Sequence, residues 1–227
     1  MVTGGPLRPG GVALTAEIMD ICRPGRGSAV LDVGCGPGHT LALLASKYKL
    51  RPTGLDPSAS MLARAATRAP GARLLQGRAT AIPCGQLSFE MVIAECVLSL
   101  TGDIEMSLGE MYTVLRPGGV LVVTDIYKKR SEISADLPDI NSCISHARPL
   151  TDIEKGVAAA GFKEYRLFDR SELLRQLAGQ IIFDYGSLEK FWQLFMAEEA
   201  ARRTCCAVTA APLGYYVLIA EKGAPYG

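Results

Sequence analysis

The sequence has almost no net charge: 24 basic residues against 23 acidic ones over 227 positions leave a formal +1. Without a basic excess there is no electrostatic footprint for DNA, RNA or an anionic membrane surface, and no nucleic-acid partner is expected. The one basic run, Lys128-Lys129-Arg130, is short and reads as a solvated loop after a strand. Long apolar runs are also missing. Nothing approaches the roughly 20 residues that a membrane-spanning helix needs, so no membrane is expected as a partner. The Gly/Pro-rich opening from Met1 to Gly11 lacks the charged-then-apolar pattern of a signal peptide, and the expected location is cytoplasmic. The seven cysteines contain no CxxC pair, which argues against a disulfide framework or structural zinc, and no metal is expected.

What is present is apolar substance and alternation. With 48% hydrophobic residues, the chain can bury a sizeable core as one large α/β domain. Residues 28–33 form a short apolar run ending at Gly34, the mark of a buried parallel strand. A helix is predicted from His39 to about Tyr48, a strand ending at Leu55-Asp56, and a second helix starting at Pro57-Ser58 with Met61, Leu62, Ala65 and Ala66 on one face. Strands follow at Ala72–Gln76 and Phe89–Ala94. A helix from Ile104 to Leu115 is predicted to stop at the breaker Arg116-Pro117-Gly118-Gly119, before a strand at Val120–Thr124. Beyond a helix at 151–160, strands are expected at Glu164–Phe168 and Leu213–Ala220. About forty residues with helical spacing lie between those two, including Leu173, Leu177, Ile181, Leu188, Phe191 and Phe195. Repeated βα units imply a mostly parallel sheet with helices on both faces. The expected division is an N-terminal segment and helix over 1–27, then one domain over 28–227 with a helical insertion at about 169–209.

Chemistry points to Leu31-Asp32-Val33-Gly34-Cys35-Gly36-Pro37-Gly38. Glycines at 34, 36 and 38 follow a strand and precede a helix, so the backbone can turn tightly and approach a ligand closely. Asp56 lies 18 residues beyond Gly38 at the tip of the next strand, where a carboxylate can accept from both hydroxyls of a ribose. A nicotinamide site would need its third glycine at position 39, which is His39. That spacing favours a nucleoside cofactor with no pyrophosphate to cradle.

In these features the chain resembles the class I S-adenosylmethionine (SAM)-dependent methyltransferases, of the UbiE-like or type 11 kind. The signposts are the loop 34–38, Asp56, the segment Gly77 to Pro83 before Ser88-Phe89-Glu90, and Leu115-Arg116-Pro117-Gly118-Gly119. The resemblance implies a Rossmann-like, seven-stranded, mostly parallel sheet with an antiparallel last strand and a helical insertion between the last two strands. It implies SAM as cofactor, held by Asp32, Gly34, Cys35, Gly36, Gly38, Asp56, Pro57, Met61, Ala79, Thr80 and Glu95. Arg78 stands where the family often has an acidic residue, which moves adenine recognition to the backbone near Ala79.

The acceptor is expected to be a small molecule. Glu95, Asp125 and His146 fall near the ends of strands four and five or just beyond, where a base would sit. Cys96 and Cys143 resemble the two core metalloid-binding cysteines of arsenite methyltransferases, although Glu95 replaces an asparagine usual in that family. That resemblance implies Cys96 and Cys143 as catalytic residues, with soft thiolates binding As(III), and Glu95 joins the expected catalytic set from its place at the end of strand four. Cysteines are also common small core residues, and packing stays open as their role. The insertion is expected either to pack or to close over the acceptor. A module that binds SAM without turnover is the alternative to an enzyme, and a dinucleotide or nucleotide-sugar enzyme on the same fold is a third reading.

Overall fold

A computed structural model describes residues 6–129, 143, 144 and 146–223. The expectations placed on Gly4, Gly5, Arg130, Asn141, Ser142 and Ser145 lie outside those residues.

Short runs of β-branched and aliphatic residues become strands because helices cover both faces of the sheet they form. Helix α1 (Gly11–Cys22) leads into β1 (Ala29–Val33), α2 (His39–Ser46), β2 (Arg51–Asp56), α3 (Ala59–Arg68), β3 (Arg73–Gln76) and β4 (Phe89–Glu95). Two helices, α4 (Leu98–Thr101) and α5 (Ile104–Val114), precede β5 (Leu115–Lys128) and a two-residue strand β6 (Arg148–Pro149). Then come α6 (Leu150–Ala160), β7 (Glu164–Asp169), α7 (Ser171–Tyr185), α8 (Leu188–Trp192), α9 (Glu198–Ala210) and β8 (Leu213–Glu221). The sheet runs β3-β2-β1-β4-β5-β8-β7, parallel up to β5, with β8 antiparallel to both of its neighbours. This is the expected seven-strand path; β6 adds an eighth strand beside β5 that the sequence did not announce.

Side-chain alternation splits the core in two. Leu31, Val33, Leu121, Val123, Tyr216 and Leu218 face one layer of helices, while Val30, Val122, Tyr215, Val217 and Ile219 face the other. Both faces are dry, so these strands read as continuous apolar runs.

Four local expectations are corrected. The helix α2 ends at Ser46, short of Tyr48. Ala66 points to solvent, and Pro57 stays outside α3, whose cap is the Ser58 hydroxyl accepting from Met61 N–H at 3.4 Å. The run Arg116-Pro117-Gly118-Gly119 ends α5 but does not interrupt the sheet. Against β4 the register passes from Phe89↔Leu115 to Met91↔Val120, so these four residues bulge outward within β5. Gly118 N–H donates to Lys222 O at 2.7 Å, and Lys222 N–H to Gly119 O at 2.9 Å, which secures the bulge. The insertion is helical as expected and consists of three helices, broken at Gly186 (φ 82°) and again before α9.

Gly38 caps α2 at φ 82°, and a Cβ there would sit 2.9 Å from Ala65 Cα. The expected result of Gly38→Ala is a loss of about 2 kcal/mol, combining left-handed strain with the clash on α3. Urea unfolding of the two proteins checks it, and equal midpoints would refute it.

Candidate active site

The carboxyl ends of the parallel strands form a crevice, and the glycine loop makes its floor. Gly34 N–H and Cys35 N–H both donate to Leu55 O, at 2.7 and 3.0 Å, which docks the loop on the end of β2. Asp56 then binds the loop from its side chain: Oδ2 accepts from Gly36 N–H and Oδ1 from Ser58 N–H, each at 2.9 Å. An ionised carboxylate has about four acceptor sites, so two remain for a ligand. Gly34 (φ 69°) has no room for a side chain, since its Cβ would lie 2.5 Å from Val97 Cγ2. At Gly36 (φ 50°) the same position faces open space. That opening leaves the backbone bare toward the crevice.

Two cavities meet there. One, of about 570 Å³, is lined by Asp56, Pro57, Arg78, Ala79, Thr80 and Leu100, among others. The other, of about 380 Å³, is lined by Arg8, Asp32, Cys35, Gly36, His39 and Glu95, with Phe195 at its mouth. Gly34, Met61 and Cys96 line both. Every residue expected to hold the cofactor therefore faces one cavity or the other except Gly38, which packs against α3 instead.

The cavity walls bear on what fits. Asp32 is 2% exposed, and its Oδ2 has no hydrogen-bond partner among the described residues. Burial pushes its carboxyl well above the usual range, with Glu95 adding to the rise and Arg8 opposing it. A ligand ammonium would satisfy that oxygen. The larger cavity offers Asp56 for a ribose and the Ala79-Thr80 backbone for a base. This donor and acceptor set fits a nucleoside amino acid carrying an ammonium group, which is the make-up of SAM.

Glu95, expected as a catalytic residue, sits at the end of β4 and is fully engaged. Its Oε1 pairs with Arg8 Nη1 at 2.8 Å and accepts from Thr15 Oγ1 at 2.8 Å; its Oε2 accepts from Thr40 Oγ1 at 2.6 Å. Arg8 also donates to Gly11 O and to both threonine hydroxyls. Asp125 is buried beneath α4, where it accepts from Ser99 N–H and Oγ and from Ile126 N–H. Desolvation pushes it up to about 6, and it lines neither cavity. His146 faces a separate groove beside Lys128 and Asp152.

The structure does bring Cys96 and Cys143 together. Both pack against the same side of the core, and the influence of Cys143 together with burial pushes the Cys96 thiol well up. Cys96 adopts φ 57°, its N–H held by Thr124 O at 2.7 Å, and its Sγ lies 3.7 Å from the Tyr215 hydroxyl. The other cysteines stay apart from this pair: Cys35 packs beneath the loop against Gly54, and Cys206 is exposed on α9.

Sequence reasoning missed Arg8, Thr15, Thr40 and His39. Arg8 gave no periodic signal in a Gly/Pro-rich stretch, and His39 entered only as an absent glycine. Arg8→Ala leaves a buried carboxylate without its cation, and the expected destabilisation is about 3 kcal/mol. The double variant Arg8→Ala/Glu95→Gln should recover part of that loss. Thermal or urea unfolding of the mutant cycle decides it; a loss in the double variant equal to the sum of the two single losses would show that the pair is not coupled.

Comparison with known proteins converges on the same crevice. Residues 30–119 match the family described as a methyltransferase domain. The trans-aconitate 2-methyltransferase of Paracidovorax citrulli is 37% identical over 98 residues, 42% of this chain and 38% of that protein. The arsenite methyltransferase of Halobacterium salinarum is 24% identical over 156 residues, 64% of this chain and 40% of that protein. The matches thus span about two fifths of the length of these curated relatives. Among solved structures, Haemonchus contortus phosphoethanolamine N-methyltransferase 2 in complex with SAM shares the fold: the TM-score is 0.79 at 18% identity, covering 96% of this chain and 54% of that one. The glycine loop and the acidic tip of β2 fall within residues 30–119, the segment that is similar to methyltransferase domains, and the strand order is that of the solved methyltransferase fold.

Proposed function

We propose that this chain transfers a methyl group from SAM to a small acceptor, and that the acceptor is a thiophilic metalloid such as As(III) held by Cys96 and Cys143. The supporting observation is the position of Cys96: it lines both cavities, beside Gly34, while Cys143 packs against the same side of the core.

SAM supplies an electrophilic methyl on a sulfonium. Asp56 holds the ribose, the Ala79-Thr80 backbone flanks the adenine, and Asp32 takes the ammonium. Gly34 and Gly36 let the backbone close on the methionine portion. Cys96 and Cys143 each exchange a thiol proton for a bond to arsenic, the proton leaving with the hydroxide or thiolate displaced. The arsenic lone pair then forms the bond to carbon as the carbon–sulfur bond breaks, and the electron pair of that bond stays on sulfur in S-adenosylhomocysteine. No general base is needed for this transfer, which suits a crevice whose Glu95 is already committed to three donors. Phe195 from the insertion sits over the mouth and excludes water.

A second reading rests on His39. It lines the smaller cavity, and burial together with Arg68, Arg8 and Arg64 lowers its pKa, so a neutral imidazole is present at pH 7 to take a proton from an organic acceptor.

Reduced protein incubated with methyl-labelled SAM, arsenite and glutathione should yield methylated arsenic and S-adenosylhomocysteine in equal amounts. Cys96→Ser should abolish the arsenic product while SAM affinity stays within about twofold. Product formation that survives this change would end the metalloid assignment. SAM binding without turnover on any acceptor would favour a module that binds the cofactor without catalysis. Asp56→Ala should weaken SAM binding by roughly 10- to 100-fold through loss of charge-assisted ribose hydrogen bonds. Calorimetric titration measures it, and unchanged affinity would remove Asp56 from the cofactor site.

A further inference from the structure

A third cavity opens at the opposite edge of the sheet, where β1, β2 and β3 begin. It has a volume of about 470 Å³ and is lined by Arg51, Arg73 and Arg116 over an apolar floor that includes Leu50, Pro52 and Phe89. From Arg51 to Asp56 the strand β2 crosses the sheet, about 17 Å at ~3.3 Å per residue, so this groove is separate from the cofactor crevice.

Its chemistry is asymmetric. Arg51 Nε donates to Gly27 O at 2.8 Å and Arg116 Nε to Leu87 O at 3.0 Å, so backbone carbonyls fix both side chains in place. Among the described residues the carboxylate in contact with these arginines is Glu90. It is divided between Arg116 and the Ala29 N–H. No ion pair engages Arg51 or Arg73 among the described residues. Three guanidiniums thus face one shared carboxylate, in a chain whose overall charge is only +1. The groove concentrates positive charge that the composition as a whole hides. Leu50 and Phe89 are 5% and 4% exposed, so the floor beneath the exposed arginines is closely packed and apolar.

We propose that this groove is a second binding site, for an organic phosphate with a flat apolar body. The guanidinium forks of Arg51 and Arg73 grip the phosphate oxygens in the bidentate manner that this group favours. The apolar body lies on Leu50, Pro52 and Phe89. Nothing in the methyl-transfer reading requires this site, and it stands on geometry alone.

The test titrates 1-naphthyl phosphate into the full chain saturated with S-adenosylhomocysteine, so that the cofactor crevice is closed to the probe. Saturable one-site binding is expected, with inorganic phosphate and 1-naphthol each binding roughly tenfold more weakly or less. Arg51→Ala/Arg73→Ala should weaken the probe by roughly tenfold or more while S-adenosylhomocysteine affinity is unchanged. Should that variant lose S-adenosylhomocysteine binding as well, the single change Arg73→Glu at the exposed start of β3 replaces it and carries the same expectation. The proposal is overturned by failure to saturate, by wild-type affinity in the variants, or by inorganic phosphate binding as tightly as the naphthyl ester.

Discussion

A carboxylate removed from water must be matched donor for donor, and in this protein that requirement falls on Glu95. Its side chain is 5% exposed at the end of the central strand β4. Three donors from three separate places answer it: Arg8 from the N-terminal segment, Thr15 from α1 and Thr40 from α2. Satisfying one buried charge therefore draws the chain's beginning over the crevice, sets α1 against α2, and fixes the backbone from which Cys96 departs. The Pro6-Leu7-Arg8 wall of the smaller cavity is a consequence of that pairing. The structure uses Glu95 to assemble the site, and the same side chain lines the smaller cavity.

The remaining charges of the crevice follow from this one. Asp32, Glu95 and Asp56 converge on the loop, and among the described residues Arg8, buried beside Glu95, shares the cavity walls with Arg64 and Arg78. Arg8 is spent on Glu95, so Asp32 is left with an unmatched oxygen and a raised pKa. The unpartnered Asp32 oxygen favours a ligand group of positive charge beside it. SAM carries a sulfonium and an ammonium against one carboxylate, whereas S-adenosylhomocysteine has lost the sulfonium.

Much of this was legible in the sequence because it is written locally. The run Val30 to Val33, the glycines after it and Asp56 at the next strand tip are short-range patterns that packing did not override. Cys96 and Cys143 were legible through resemblance, and the fold does place them side by side. The misses are those where distant pairing decides. The Arg116-Pro117-Gly118-Gly119 run obeys its local rule by ending α5, yet β4 on one side and Lys222 on the other hold it in the sheet as a bulge. The breaks between α7, α8 and α9 fall in a stretch whose apolar spacing is continuous. Arg8 was invisible because its partners lie 7, 32 and 87 residues away.

The two edges of the sheet also divide the chain's charges. Carboxylates gather at the carboxyl ends of β1, β2 and β4, as Asp32, Asp56 and Glu95; arginines gather where β2, β3 and β5 begin, as Arg51, Arg73 and Arg116. In a parallel sheet all strands start at one edge, so a residue's place along its strand decides which edge receives its charge. A net charge near zero is then the sum of an acidic edge and a basic one. Composition gives only that sum and does not describe either edge. The acidic edge is matched to a cationic cofactor by the same geometry that leaves the opposite edge open to an anion.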